Sequence, residues 1–346
     1  MKLVNRKGTG RRRFAAVAAL AIAASLTLVA CGGDEPAQPA DDNARAKIRM
    51  ISWSTPRAEQ ANIFAAQDLG YFEEQNIEFE YVTGQGSGDA LKQLLAGNGD
   101  IAFAGPEGVL QAVDQGADVV AIYNTYPQNA FVLVAKKESG ITKVADLKGK
   151  KIGVLSMASG GRYNTTTLLA TAGLQESDVE LVAVGPAPTA FIEGQVDAFM
   201  MLTTSVARLA QTVDLVQFPV AEIANLPTDV FVVTRKVYED PAKLRPIVRT
   251  LRAIVKGTQL MIDDPERAAE IGAKHGLDIT EAAAALPVVK AFAEISQSDG
   301  TRANGLGWFD LDEIQEGADR LKSAGIIGEV DVNECFTNSV LSDIHS

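Results

Sequence analysis

Residues 151–163 read Lys-Ile-Gly-Val-Leu-Ser-Met-Ala-Ser-Gly-Gly-Arg-Tyr. A short apolar run, Lys151 to Leu155, passes through small polar residues into a helical pattern from about Gly160, which is a strand, a turn and a helix start. The unit matters because the chain has already run through one like it. Upstream come Ile48 to Trp53, a helix from about Ala58, Ile77 to Val82, a helix from about Gly88, and Ile101 to Ala104. Downstream come Val179 to Val184, a helix near Pro188, Asp197 to Met200, and Leu215 to Phe218. Alternation of this kind builds mainly parallel sheets with helices on both faces, so two similar α/β units follow one another.

Two apolar runs match: Ala130-Phe131-Val132-Leu133-Val134-Ala135 and Asp229-Val230-Phe231-Val232-Val233-Thr234. They read as two crossovers between lobes, with residues 47–131 and 234–346 forming lobe 1 and 132–233 forming lobe 2. The tail carries helical patterns over Leu244 to Ile262, Pro265 to Lys274, Thr280 to Ile295 and Leu311 to Ser323, and should pack back on lobe 1.

The N-terminus is of another kind. Lys2, Arg6, Lys7, Arg11, Arg12 and Arg13, with no acidic residue among them, precede an apolar stretch from Phe14 to Ala30. That pattern is a signal peptide over residues 1–30, and Ala30-Cys31 suits lipoprotein cleavage, with Cys31 as the lipidated residue. Acylation at several chains gives lasting attachment where one chain binds a membrane only marginally. The alternative is an uncleaved membrane anchor. Arg11-Arg12-Arg13-Phe14 also fits a twin-arginine export signal, although three arginines are common in ordinary ones. Residues 31–46 hold two prolines and no large apolar side chain, as a flexible tether would. Loss of the six basic residues takes the formal net charge from −12 to −18, which argues against nucleic acid and anionic lipid as partners. Cys335 is then the one cysteine left, so no intrachain disulfide can form, and it reads as a packed small hydrophobe.

Four further segments carry a family resemblance: Leu69-Gly70-Tyr71-Phe72-Glu73-Glu74, Leu94-Leu95-Ala96-Gly97-Asn98-Gly99-Asp100-Ile101, Asp146-Leu147-Lys148-Gly149-Lys150-Lys151-Ile152-Gly153-Val154, and Gly194-Gln195-Val196-Asp197-Ala198. In this order they resemble ABC-importer solute-binding proteins, of the branch that binds nitrate, taurine, alkanesulfonates and thiamine pyrimidine precursors. The resemblance spans about residues 48 to 260. It implies a two-lobed periplasmic-binding fold of type II with two hinge crossovers, a small-molecule solute, and an ABC permease with its ATPase as partner. Asn76 stands where the family usually has glycine; asparagine is the next residue able to take a positive φ.

Ligands of such sheets lie at the carboxyl ends of the parallel strands. Trp53, followed by Ser54, can stack on a flat ligand or cover the core edge. Gly86 and Ser87 lie in a glycine loop before a helix, whose unpaired N–H groups can meet an acceptor or simply end a flexible turn. Glu107 can accept from a ring amine or favour its helix dipole. Ser156, Ser159, Gly160 and Arg162 open the second lobe's first helix, where small residues admit a ligand and Arg162 can neutralise an anion or stay solvated. Tyr123, Tyr126 and Thr204 are candidates for the opposite wall. The crossovers imply hinge closure around the solute.

An enzyme is the competing class. The two histidines, His275 and His345, read as solvated, and the sequence has no Cys/His metal spacing, no Gly-x-Ser-x-Gly elbow and no Walker loop. Fold relatives that synthesise the thiamine pyrimidine use a cysteine-rich motif missing here. No cofactor or metal is expected, and a monomer suits hinge closure. A sensor feeding a receptor kinase would have the same polypeptide. Trp53, Tyr123, Tyr126 and Glu107 favour a heteroaromatic solute such as a thiamine pyrimidine precursor; the glycine loops and Arg162 would serve a sulfonate, taurine or nitrate.

Overall fold

The computed structural model describes residues 44–185, 188–223 and 226–346. The signal peptide, Cys31 and nearly all of the tether lie outside the described residues. Two five-stranded sheets organise the rest. The first contains β1 (Ala46–Ser52), β2 (Ile77–Thr83), β3 (Ile101–Ala104), β4 (Val119–Asn124) and β10 (Val230–Thr234) in the order β2-β1-β3-β10-β4. The second contains β5 (Phe131–Lys136), β6 (Lys151–Val154), β7 (Glu180–Ala183), β8 (Ala198–Leu202) and β9 (Leu215–Pro219) in the order β7-β6-β8-β5-β9.

The two orders follow one recipe. In each, the first three strands are parallel, and one antiparallel strand is inserted before the fourth. The inserted strands are β5 and β10, the two matching apolar runs. These are therefore not crossovers themselves, which corrects that reading. They are interior strands, buried on both faces, which explains their unbroken Val, Leu and Phe content. The chain crosses between the sheets just before each of them. The chain rejoins the first sheet at Val230, so the expected lobe 2 of 132–233 is too long by the residues of β10, and β5 begins in the second sheet at Phe131. Strand β4 escaped the sequence reading. Its run Val-Val-Ala-Ile-Tyr-Asn is wholly buried, and Tyr123, expected on the cleft wall, is part of it.

Backbone punctuation agrees with the sequence. Asn76 takes φ 53°, the one described non-glycine residue with positive φ, directly before β2. The tail packs on the first lobe: the helix Pro241–Asp263 lies along Ala61–Asp68, so close at Gly257 that a β-carbon there would come 2.0 Å from the carbonyl oxygen of Asn62. Among the described residues, no helix is long and apolar enough to cross a membrane.

Candidate functional site

The two sheets present their strand ends to a common cleft of about 710 Å³, counting space open to solvent. On the first-lobe side it is lined by Trp53, Arg57, Gly86, Ser87, Gly105, Thr228 and Asp229. The second lobe supplies Phe131, Leu155, Ser159, Gly160, Gly161, Gly185, Phe199, Met200, Met201, Leu202 and Ser205. Several of these close β1, β3 and β8 or follow them directly, as expected for sheets of this kind.

Glu107 lies buried just behind this lining. Pro106 opens its helix at the first position, which suits the fixed φ of proline and sets Glu107 in the first turn, next to the lining residue Gly105. The side chain is 1% exposed. Its Oε1 accepts a 2.6 Å hydrogen bond from Nδ2 of Asn164, on the second lobe's helix Gly160–Ala170. Its Oε2 is buried without a partner, between two glycines that line the cleft: a β-carbon on Gly105 would sit 3.0 Å from it, and one on Gly160 3.6 Å. Burial raises this carboxyl to about 7, against the opposing pull of its own backbone N–H and of Asn164.

Asp229 is the second buried carboxyl, raised well above the usual range by burial and then by the negative Glu59 and Glu107. The indole N–H of Trp53 lies near enough to favour the charged form of Asp229, yet it is itself buried and makes no well-aligned hydrogen bond. One guanidinium also lines the cleft, that of Arg57. It is already committed to Glu59 at 2.8 Å and Asp278 at 3.2 Å. Apolar surface faces these groups: the Phe131 ring and the chain of Met200 lie where β-carbons on Gly160 and Gly161 would meet them at 3.4 Å.

The lobes touch at the mouth. Gly88 N–H donates to the Ala158 carbonyl at 3.2 Å, and the Ser156 hydroxyl to the Gln85 carbonyl at 3.3 Å. Gly86, at φ 107°, would place a β-carbon 2.8 Å from the Ala158 oxygen, so contact at this lip requires glycine.

Of the expected site residues, Trp53, Gly86, Ser87, Ser159 and Gly160 line the cleft, Glu107 is buried behind its glycines, and Ser156 bridges its lip. The others are elsewhere. Arg162 is turned away: its guanidinium meets Glu176 of its own lobe at 3.0–3.2 Å, and does not reach the cleft. Three residues into a helix that points its first turn at the cleft, its side chain leaves on the opposite face. Tyr123 and Tyr126 are at most 1% exposed within the first core. Tyr123 packs on Phe231, and the Tyr126 hydroxyl donates to the Glu59 carbonyl at 3.0 Å, because both aromatics belong to the interior of the first sheet's layer. The Ser54 hydroxyl bonds the adjacent Thr55 carbonyl, and Thr204 stands beside the lining residue Ser205 without lining the cleft. The residues missed were Asp229, Arg57, Phe131 and the end of β8. The available signal was an acid placed directly before a buried strand at a lobe crossing.

The histidines are occupied. His275 is half-buried, stacked on Phe64 at 4.8 Å and bonded to Asp68 at 2.7 Å, so it is not the solvated group expected, whereas His345 is exposed and meets the Leu306 carbonyl at 2.8 Å. Cys335 is buried, its thiol pushed up to about 12 by burial. Among the described residues, no cluster of His, Cys, Asp and Glu could hold a metal ion.

Comparison with known proteins fits this architecture. The chain is 24% identical over 344 residues to the riboflavin-binding protein RibY of Chloroflexus aurantiacus, covering 93% of this chain and 96% of that one. It is 27% identical over 151 residues to the 4-amino-5-hydroxymethyl-2-methylpyrimidine phosphate synthase THI5 of Saccharomyces cerevisiae, covering 43% of this chain and 44% of that one. The fold is shared with the alkanesulfonate-binding protein SsuA of Xanthomonas axonopodis pv. citri bound to MOPS: TM-score 0.65, 19% identity, 85% of this chain and 99% of that one. The model of the family described as NMT1/THI5 like matches residues 57–268, and the chain belongs to that family.

Proposed function

We propose that this protein is the solute-binding component of an ABC importer, and that its solute is a small heteroaromatic ring presenting N–H groups, such as a thiamine pyrimidine precursor or a flavin. The observation that carries the choice of solute is the pair of buried carboxyls, Asp229 lining the cleft and Glu107 behind its glycines, where the one lining cation among the described residues is neutralised by two acids. A buried carboxyl without a partner is costly, and a solute N–H supplies what Oε2 of Glu107 lacks. Beside it, the first turn of the helix Gly160–Ala170 offers backbone N–H groups suited to a ring carbonyl or nitrogen. A ring edge alternating donors and acceptors answers both, with Trp53 and Phe131 available for its faces. Two relatives named for flavin or pyrimidine chemistry support the same class.

A second reading, an aliphatic sulfonate, taurine or nitrate, has that same helix start in its favour, because N-terminal N–H groups also bind anions. The two buried carboxyls oppose it. Catalysis has less support: the similarity to the pyrimidine synthase covers under half of the chain, and the cysteine-rich motif expected of such enzymes is missing. Export, lipidation at Cys31 and docking on a permease complete the proposal; Cys31→Ser should release the protein from membranes and impair uptake with solute affinity unchanged. A receptor in place of the permease would be revealed by the neighbouring genes. The direct test is thermal-shift screening of the purified protein against riboflavin, 4-amino-5-hydroxymethyl-2-methylpyrimidine, taurine, an alkanesulfonate and nitrate. A raised melting temperature with either ring supports the proposal; one with the anions alone refutes its choice of solute.

A further inference from the structure

Asn164 uses both ends of its side-chain amide between the lobes. It is 3% exposed, one turn into the helix Gly160–Ala170. Its Nδ2 donates across the cleft to Oε1 of Glu107 at 2.6 Å and back to the Gly160 carbonyl at 2.9 Å. Its Oδ1 accepts from Nδ2 of Asn129 at 3.0 Å, and Asn129 in turn accepts the Phe131 N–H at 2.9 Å, where the chain enters the second sheet. One amide therefore ties the first lobe's cleft carboxyl to the second lobe's first helix and to the crossing between lobes. Two acceptors face its nitrogen and a donor faces its oxygen, a set that asparagine satisfies and aspartate or leucine cannot.

We propose that Asn164 is the positioning residue that converts occupancy of the cleft into closure of the lobes. The proposal deepens the solute-capture reading and rests on it. A solute N–H arriving at Oε2 of Glu107 stabilises the ionised carboxylate, and a hydrogen bond to an ionised acceptor is about twice as strong as a neutral one. The bond so strengthened is the one from Asn164, and opening the cleft breaks it. Solute and closure thus favour each other, reciprocally. The remaining titratable groups around the bond are Asp229 on the second crossing and Tyr163 on the helix of Asn164, whose hydroxyl is held by Gln111; Arg162, near Tyr163, is engaged by Glu176.

The test uses the lip as a trap. A β-carbon on Gly88 would lie 3.5 Å from that of Ala158, within the roughly 3.5–4.5 Å of a disulfide. The full chain carrying Gly88→Cys and Ala158→Cys should therefore cross-link when closed. Rates are compared with and without Asn164→Leu or Asn164→Asp, at pH 8 and pH 5, each relative to the cysteine parent at the same pH, with no solute present. Asn164→Leu should slow trapping about tenfold at both pH values. Asn164→Asp should slow it similarly at pH 8 and recover at pH 5, where two facing carboxyls share a proton; this recovery is something a merely structural role would not produce, and it remains readable if the leucine variant folds poorly. Equal rates in all chains at both pH values overturn the proposal. With riboflavin and the aminopyrimidine as probes, Asn164→Leu should raise the dissociation rate and leave association unchanged. If neither ring binds the parent but trapping behaves as expected, the latch stands and the choice of solute falls; if a ring binds and trapping is indifferent to residue 164, the latch falls and the solute reading stands.

Discussion

The two walls of the cleft differ in kind. The first lobe brings Trp53, Glu107 and Asp229: the indole N–H and one Glu107 oxygen are buried without a hydrogen-bond partner, and Asp229 is a buried carboxyl. The second brings Phe131, Leu155, Phe199 and the methionines of β8, with glycines at 160, 161 and 185 clearing space. Both walls grow from sheets of one topology, so the difference is not of fold but of what each strand end carries. It implies a division of labour. The first lobe reads the solute's polar edge, where a missing partner leaves a buried group unsatisfied and discrimination is strong; the second covers its apolar face, where contacts are tolerant and contribute by area.

The largest effect expected is on stability without solute. Glu107 holds its proton to about pH 7 in the folded protein but only to about 4.5 when unfolded. Between those values the native state binds more protons, so stability falls as pH rises. Denaturation at stepped pH should find a decline, to which the buried Asp229 also contributes, and Glu107→Gln should lessen it by up to about 3 kcal/mol. A wild-type curve with no such slope would mean that the first wall is hydrated after all. Next comes affinity: with the ring that binds, Glu107→Gln should weaken binding about thirtyfold in a calorimetric titration, near 2 kcal/mol, the range for a hydrogen bond to a charged group. Phe131→Ala should cost about fivefold, and equally for every ring tested, since the second wall seals without reading; a change in selectivity would blur the comparison. Arg162→Ala should alter affinity less than twofold. Its partner is Glu176, and as a partly exposed pair it is worth at most about 1 kcal/mol of stability, measurable by denaturation.

The contrast between walls also bears on what the sequence made legible. Strand positions were readable where they alternate with helices, because period and punctuation are local; the helix Leu311–Ser323 has the bounds that its pattern predicts. The fully buried β4 was not, since its run ends in Tyr-Asn and two-sided burial removes the alternation that marks a strand. In the site, loops at strand ends were found because the parallel-sheet rule locates them, and Glu107 was found with them. Side-chain direction was beyond reach. Arg162 is right by position and wrong by face, while Tyr123 and Tyr126 carry the chemistry of a binding wall but are held in the core by Phe231, Phe103 and Phe292. Asp229 was hidden by its neighbours: a lone acid heading an apolar strand reads as a boundary until the crossing folds it against Trp53.

Proton exchange on binding tests the division of labour most directly. The ring that raises the melting temperature is titrated into the protein at pH 7 in two buffers of different ionisation enthalpy, with the ring's own titration subtracted. A solute donating N–H groups to the first wall drives Glu107 toward its ionised form, so binding should release protons, and Glu107→Gln should abolish most of that release. Proton uptake, as an anion or a carbonyl set against the same carboxyls would require, would contradict the account.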